Sequence, residues 1–301
     1  MADDVSSSQV VEEVHEEYQP RTDRFDTLGN GNPERKVVER LSFTKKVIFP
    51  QECLSVPRLL YGFLGIEMGD NKHIRARLTL SNLDKTSFEL TTDTWFSATF
   101  LSSSYIKLPN VPKYQFQDGR VSTYDIPRDW NRARLKVDGN TESEVYTFWI
   151  SFSTPYDSPP KVISWLTHID CAEPPNQRLD LTVKNISTTG FLLEIVSWSD
   201  SLLVSARVSW LAYNSSVPGI ASGTIEKTNG WQNVNFPPGI FTKKPQMWVA
   251  LRKIDATPTP VPPKVQVDYQ NATTKSVDIK CGCDDSKVTL WGCGASWLAI
   301  E

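Results

Sequence analysis

Histidine is scarce in this chain: His15, His73 and His168 are the only three among 301 residues. A histidine-based metal centre or a Ser-His-Asp triad has only these to draw on. The five cysteines, Cys53, Cys171, Cys281, Cys283 and Cys293, are an odd number, and the opening Met-Ala-Asp-Asp lacks the apolar stretch of a secretory leader. Both features predict mostly free thiols in a reducing compartment, hence a cytoplasmic protein or one released without a classical signal peptide. Basic charge is not in surplus, with 32 Lys and Arg against 35 Asp and Glu, so nucleic acid is not an expected partner. The longest apolar run, near residues 59–66, is interrupted by glycine. A membrane helix needs about 20 apolar residues, so no membrane insertion is expected. Also missing are a Gly-rich phosphate loop, a nucleophile elbow and a motif that pins two carboxylates across a sugar. No catalytic residue, cofactor or resident metal is therefore expected.

Aromatic residues are plentiful: 10 Trp, 9 Tyr and 13 Phe. That content is too high for a disordered chain. Residues 1–24 read as an acidic tail. Val10, Val11, Val14 and Tyr18 have roughly helical spacing, so the tail is either a solvated arm or a short amphipathic helix. From about residue 25 the pattern has period two. Leu179, Leu181 and Val183 alternate with Asp180, Thr182 and Lys184, and Val204, Ala206, Val208 and Trp210 alternate with polar neighbours. Period two with β-branched and aromatic residues predicts half-buried strands, and frequent Pro and Gly suit a sandwich or barrel.

The chain repeats itself. Phe49, Pro57, Glu67, Arg75, Phe88 and Trp95 are separated by 8, 10, 8, 13 and 7 residues, and Phe152, Pro160, Asp170, Arg178, Phe191 and Trp198 by the same gaps. Phe236, Pro245, Asp255, Lys264 and Val277 follow with gaps of 9, 10, 9 and 13. Ser209-Trp210-Leu211-Ala212 returns as Ser296-Trp297-Leu298-Ala299. Three units are predicted, at residues 25–109, 118–213 and 222–301, each long enough for one small sandwich. The joints at 108–112 and 214–219 are short, so the units should pack on one another.

The second unit carries a family resemblance. Phe152-Ser-Thr-Pro-Tyr-Asp-Ser-Pro-Pro160, Ile169-Asp170, Asn176-Gln177-Arg178-Leu179, Ser187-Thr188-Thr189-Gly190-Phe191, Ser197-Trp198 and Ser209-Trp210 together resemble the H-type lectin domain of snail agglutinins and discoidins. The first unit keeps the middle of the pattern and the third keeps its ends. The resemblance implies an all-β fold of three tandem six-stranded antiparallel β-sandwiches. Three copies in one chain then imply an intrachain pseudo-trimer, either monomeric or further assembled as a homo-oligomer. Its implied ligand is terminal N-acetylgalactosamine or galactose on the glycans of glycoproteins or glycolipids.

A neutral sugar offers hydroxyls and one C–H face, so its site needs fixed hydrogen-bond partners beside an aromatic surface. The resemblance assigns these roles to Asn176, Arg178, Trp198 and Ser199 in the second unit, where Ser199 stands for a histidine common in the family. A family tyrosine is Val204 here. The family's acidic residue falls at Thr141, within the loop Asp138, Gly139, Asn140, Thr141, Glu142, where a neighbouring carboxylate can substitute. In the first unit the matching residues are His73, Arg75, Trp95 and Phe96; in the third the arginine becomes Lys264 and the tryptophan falls near Asp284. Trp130, Trp210, Trp231 and Trp297 mark unit ends and are expected to pack. Opposed to these roles is a structural reading, in which Arg75 and Arg178 cap strand edges or cross-pair with carboxylates and the tryptophans fill packing between units.

Cys281, Cys283 and Cys293 admit a metal site, a cross-strand disulfide or free thiols, the last favoured by spacing and compartment. His168 is expected as a strand histidine. The sequons at Asn185, Asn214 and Asn271 are expected to be unused. The reading is of a multivalent lectin acting in agglutination, adhesion or defence. The alternative is a structural or protein-interaction module on the same sandwich with degenerate sugar sites.

Overall fold

The computed structural model describes residues 13–14, 40–68, 74–95, 98–109, 116–125, 132–137, 141–172, 176–226, 228, 230–257, 264–283 and 289–301. The first unit contains β1 (Glu13–Val14), β2 (Arg40–Ile48), β3 (Leu59–Met68), β4 (Ile74–Ser81), β5 (Ser87–Trp95) and β6 (Ala98–Lys107). The second contains β7 (Phe116–Ser122), β8 (Arg132–Val137), β9 (Thr141–Ser151), β10 (Lys161–Ala172), β11 (Gln177–Lys184), β12 (Gly190–Trp198) and β13 (Leu202–Tyr213), with a 3-10 turn at Thr123–Asp125. The third contains β14 (Ile220–Glu226), β15 (Gln232–Asn235), β16 (Gln246–Thr257), β17 (Lys264–Gln270), β18 (Ser276–Gly282) and β19 (Thr289–Ile300). The alternation works as expected: in β11, Gln177, Leu179 and Leu181 are buried while Arg178, Asp180 and Thr182 face outward.

No sheet belongs to one unit. The sheet β2-β5-β4-β10-β13-β7 joins units one and two across β4 and β10. The sheet β14-β19-β16-β11-β12-β9-β8 joins units two and three across β11 and β16, and β1-β6-β3-β17-β18-β15 joins three and one across β17 and β3. Each sandwich is thus two half-sheets, each continued into a neighbour, and the ring closes within the chain as a pseudo-trimer. Pairing across the seams satisfies the backbone groups of β4, β11 and β17, which would otherwise be open edges. The tail expectation needs correcting at Glu13 and Val14, which pair with Ser104 and Ser103 of β6, the place that β7 takes on β13 and β14 on β19; the rest of residues 1–24 lies outside the described residues. A stretch read as an acidic arm or helix supplies a strand to the first unit.

Two cores hold the ring. One fills the sandwiches. The second lies where the units meet and includes Leu60, Ile163 and Trp248, and Ile106, Leu211 and Leu298. The register Tyr61–Tyr105, Ser164–Trp210 and Val249–Trp297 identifies equivalent positions, and so makes Gly62, Trp165 and Ala250 equivalent. Only one large side chain fits among the three. A β-carbon on Gly62 would lie 2.5 Å from Ala250 Cβ and 2.8 Å from Trp165 Cδ1. Trp165 donates from Nε1 to the Tyr61 carbonyl at 2.7 Å and meets Trp248 edge-on at 4.8 Å. Ser104 and Ser296 donate across units to the carbonyls of Val249 (3.0 Å) and Ser164 (2.7 Å).

Trp210 and Trp297 are buried over Gly119 and Gly223, where any β-carbon would fall 2.8 and 2.9 Å from the indole. Trp231 departs from expectation: it is 42% exposed, because the strand beside it, β15, is short and lies at a sheet edge. Trp130 lies outside the described residues. Asn185 and Asn271 each take a left-handed turn with φ near 50°, as Asn82 does at the matching hairpin. Asparagine tolerates that conformation better than other residues with a β-carbon, which gives these two sequon residues a conformational role. Cys281 and Cys293 face each other in the core as thiols, Sγ to Sγ 2.9 Å. That hydrogen bond, with burial, pushes Cys281 well above the usual thiol range. Burial likewise pushes up Cys171. Among the described residues, no three His, Cys, Asp or Glu side chains are grouped as a metal ion would need.

Candidate functional site

At each seam a basic residue stands opposite an acidic residue of the next unit: Arg75 and Asp170, Arg178 and Asp255, Lys264 and Glu67. These are the charged positions of the repeat, so that spacing marks a seam. Two β-bulges recur in the strand pairs beside the seams. The first frees Thr167 in β10, Arg252 in β16 and Leu64 in β3. The second frees Val204 in β13, Trp291 in β19 and Thr99 in β6. A bulge leaves one residue unpaired and re-aims its side chain.

The seam between units two and three holds a polar cluster. Arg178 donates from Nε to Asp255 Oδ1 at 3.2 Å and from Nη1 to Asp200. Its backbone N donates to Ser201 Oγ at 3.0 Å. Asn176 Nδ2 donates to Asp200 Oδ2 at 2.6 Å, while its Oδ1 accepts from Thr257 Oγ1 at 2.5 Å. Thr257 Oγ1 in turn accepts from Trp291 Nε1 at 3.0 Å, and that indole is 65% exposed. Continuing the pairing of Asp180 with Val196 by two residues sets Trp198 opposite Arg178, on the same outward face. Ser199, at φ 60°, makes the turn after β12 from which Asp200 reaches Arg178. Burial pushes the Asp255 carboxyl above its ordinary value despite the opposing pull of Arg178 and Lys253.

The seam between units one and two repeats the frame with other side chains. Arg75 Nε donates to Asp170 Oδ1 at 3.0 Å. Extending the pairing of Ala76 with Thr94 sets Trp95 opposite Arg75. The neighbouring row runs Ser122, Arg207, His168, Arg77, Asp93. Arg77 holds Asp93 Oδ2 through Nε at 3.0 Å and Nη2 at 2.5 Å. His168 is buried, with Nε2 2.8 Å from Ser205 Oγ and its ring stacked on Trp95 at 5.5 Å. Its pKa is pushed down to about 4 by burial, helped by Arg207 and then Arg77, so it is neutral at physiological pH.

The structure therefore brings together Asn176, Arg178, Trp198 and Ser199 at one seam, and Arg75 and Trp95 at another. Thr141 opens β9 opposite Val137. Asp138, Gly139, Asn140, His73 and Phe96 lie outside the described residues, as does Asp284. Sequence reasoning missed Asp200, Asp255, Thr257 and Trp291 as members of the Arg178 cluster, three of them from the next unit. A signal was present: the match of Ser209 with Ser296 places Trp291 at the position of Val204. What was lacking was the closed ring, which sets the third unit's strand beside the second unit's arginine.

Paired charges, oriented amides and hydroxyls, and an exposed indole thus meet at a seam between sandwiches. The H-type lectin domain family matches residues 44–106, 147–213 and 231–300. The chain belongs to this family, whose domains bind carbohydrate and are not enzymes. A protein of Fuscovulum blasticum described as "ATP synthase subunits region ORF 7" is 31% identical over 77 residues, 26% of this chain and 66% of that one. No solved structure gives a significant match.

Proposed function

We propose that the chain binds terminal N-acetylgalactosamine or galactose at the seam between units two and three. The observation that carries this reading is the exposed Trp291 indole beside Arg178, Asn176, Asp200 and Thr257. An indole face packs against sugar C–H groups, and carboxylates accept strongly from hydroxyls. Asp200 and Asp255 supply the acceptor that sequence reasoning sought in the loop at 138–142. No step of bond making is required of these groups. The ring arrangement adds multivalency: separate seams on one rigid body engage a glycosylated surface together, gaining avidity over single weak sites. Agglutination, adhesion and defence are uses of that property.

Titration calorimetry with N-acetylgalactosamine and galactose tests the reading. Trp291→Ala removes an exposed side chain and should weaken binding about tenfold with little change in melting temperature. Arg178→Ala should abolish it. Absence of binding by the wild type overturns the proposal. It would favour the structural module, which draws on the acid–base pairing built into all three seams.

A further inference from the structure

The seam between units one and two carries a cation that its fold does not require. Arg207, Gly294 and Ser102 are equivalent, each paired directly with the residue after the first bulge: His168, Lys253 and Gly65. The backbone thus accepts glycine or serine at this place. Arg207 is half-buried, and among the described residues no carboxylate pairs with it. Its neighbours on both sides give no counter-charge: His168 is neutral, and Ser122 is uncharged. The equivalent of Ser122 in the next seam is Glu226, and the equivalent of Arg77 is Asp180; those two carboxylates hold Arg252 and Lys253. Negative groups at one seam are replaced by a cation and a hydroxyl at the other. Arg77 is committed to Asp93 but keeps 32% of its side chain exposed. Beside them Tyr124 is 67% exposed, with its ring 6.4 Å from His168.

We propose that this seam binds an acidic glycan, with Arg207 taking its carboxylate or sulfate group beside the exposed ring of Tyr124. A guanidinium presents a planar fork that pairs two oxygens of either anion. Arg207 is already partly stripped of water, so the ligand anion meets a cation whose desolvation has been met in folding. Arg77, its charge balanced by Asp93, keeps part of its side chain exposed as a further donor at the outer edge. The ring of Tyr124 offers a sugar the apolar surface that Val204 at the second bulge, lacking an indole, gives only in small part. This proposal rests on the lectin reading and adds the chemical class of ligand at a different seam.

The test uses the full chain and four probes: 3′-sialyllactose for the carboxylate, galactose 6-sulfate for the sulfate, and lactose and galactose as their neutral parents. At low salt, at least one acidic probe should bind about tenfold or more tightly than its parent, with the advantage shrinking as salt is raised. Which of the two gains identifies the anion. Arg207→Gln and Arg207→Ser should remove the advantage while leaving the melting temperature and the neutral-sugar affinity unchanged. If neither acidic probe outbinds its parent, or if the advantage survives both substitutions, the proposal is overturned. Neutral binding that is weakened in Trp291→Ala would then still support the lectin reading. No binding of any probe overturns both.

Discussion

In the seam between units two and three, Asp180 and Glu226 enclose Arg252 and Lys253, and Asp200 and Asp255 enclose Arg178. At the same backbone positions between units one and two stand Arg77, Ser122, Thr167, His168 and Arg75, with Asp93 and Asp170 as the carboxylates in ion pairs. Both seams use the same strand pairing, the same two bulges and the same opposed acid and base. The difference lies in polar side chains of these rows, several of them buried and many at or next to a bulge. A ring made from one chain permits this, because each seam can change its chemistry without altering the others. The pairing that closes the ring is backbone pairing, and the strand pairs beside it accept glycine, serine or arginine at one position.

The largest expected effect comes from what the seams share. Trp165→Ala removes the one large side chain among Gly62, Trp165 and Ala250, together with its hydrogen bond to Tyr61 and its contact with Trp248. A loss of about 4 kcal/mol is expected, measured by urea unfolding. Sugar binding at both seams should weaken together. Loss at one seam alone would show that the seams are built independently.

Acid should separate them. His168 has its folded pKa pushed down to about 4 from an ordinary value of 6.5. Its neutral form is favoured by folding, so its contribution is complete above pH 6.5 and is lost as pH falls towards 4, while the unfolded chain takes up the proton. The full loss is about 3 kcal/mol. Arg77 and Arg207 face the ring from the flanking strands, with Ser205, Trp95 and Tyr124 against it. Asp255 has the opposite sign: its pKa is raised, so the folded state takes up its proton first and its contribution grows as pH falls. Unfolding free energies at pH 7 and pH 4.5 should therefore differ less in His168→Gln than in the wild type. An unchanged difference would show that His168 does not set the acid response of its seam.

The fold was largely legible because period two and the spacing of the repeat are properties of one strand and one unit. Arg178 and Trp198 were paired by the family resemblance, and they lie on adjacent strands of the same unit. Asp255, Thr257 and Trp291 could not be placed with them, since they come from the neighbouring unit and reach Arg178 only when the ring closes. The strand at Glu13 and Val14 was hidden for a related reason: two residues pairing with β6 leave no periodicity to read. The arginines of the repeat were read as sugar ligands, with cross-pairing to carboxylates as the alternative, and each stands opposite an acidic residue across a seam.

The smallest effect is the sharpest comparison. Val204 and Trp291 occupy the same bulge, and Ala172 and Thr257 stand at the same place on the adjoining strand. Val204 is already 46% exposed, so an indole there need not enter the core. Val204→Trp alone should give the first seam an aromatic surface whose Nε1 has no hydroxyl to meet. Adding Ala172→Thr restores the acceptor that orients Trp291 in the other seam. Measured in a Trp291→Ala background, the single change should raise neutral-sugar affinity by about threefold or less, and the double change by more, because orienting the ring reduces the ordering cost of binding. If the double change gives no gain, the two seams differ in more than their bulge residues, and the charge of Arg207 and Arg77 is the first difference to remove.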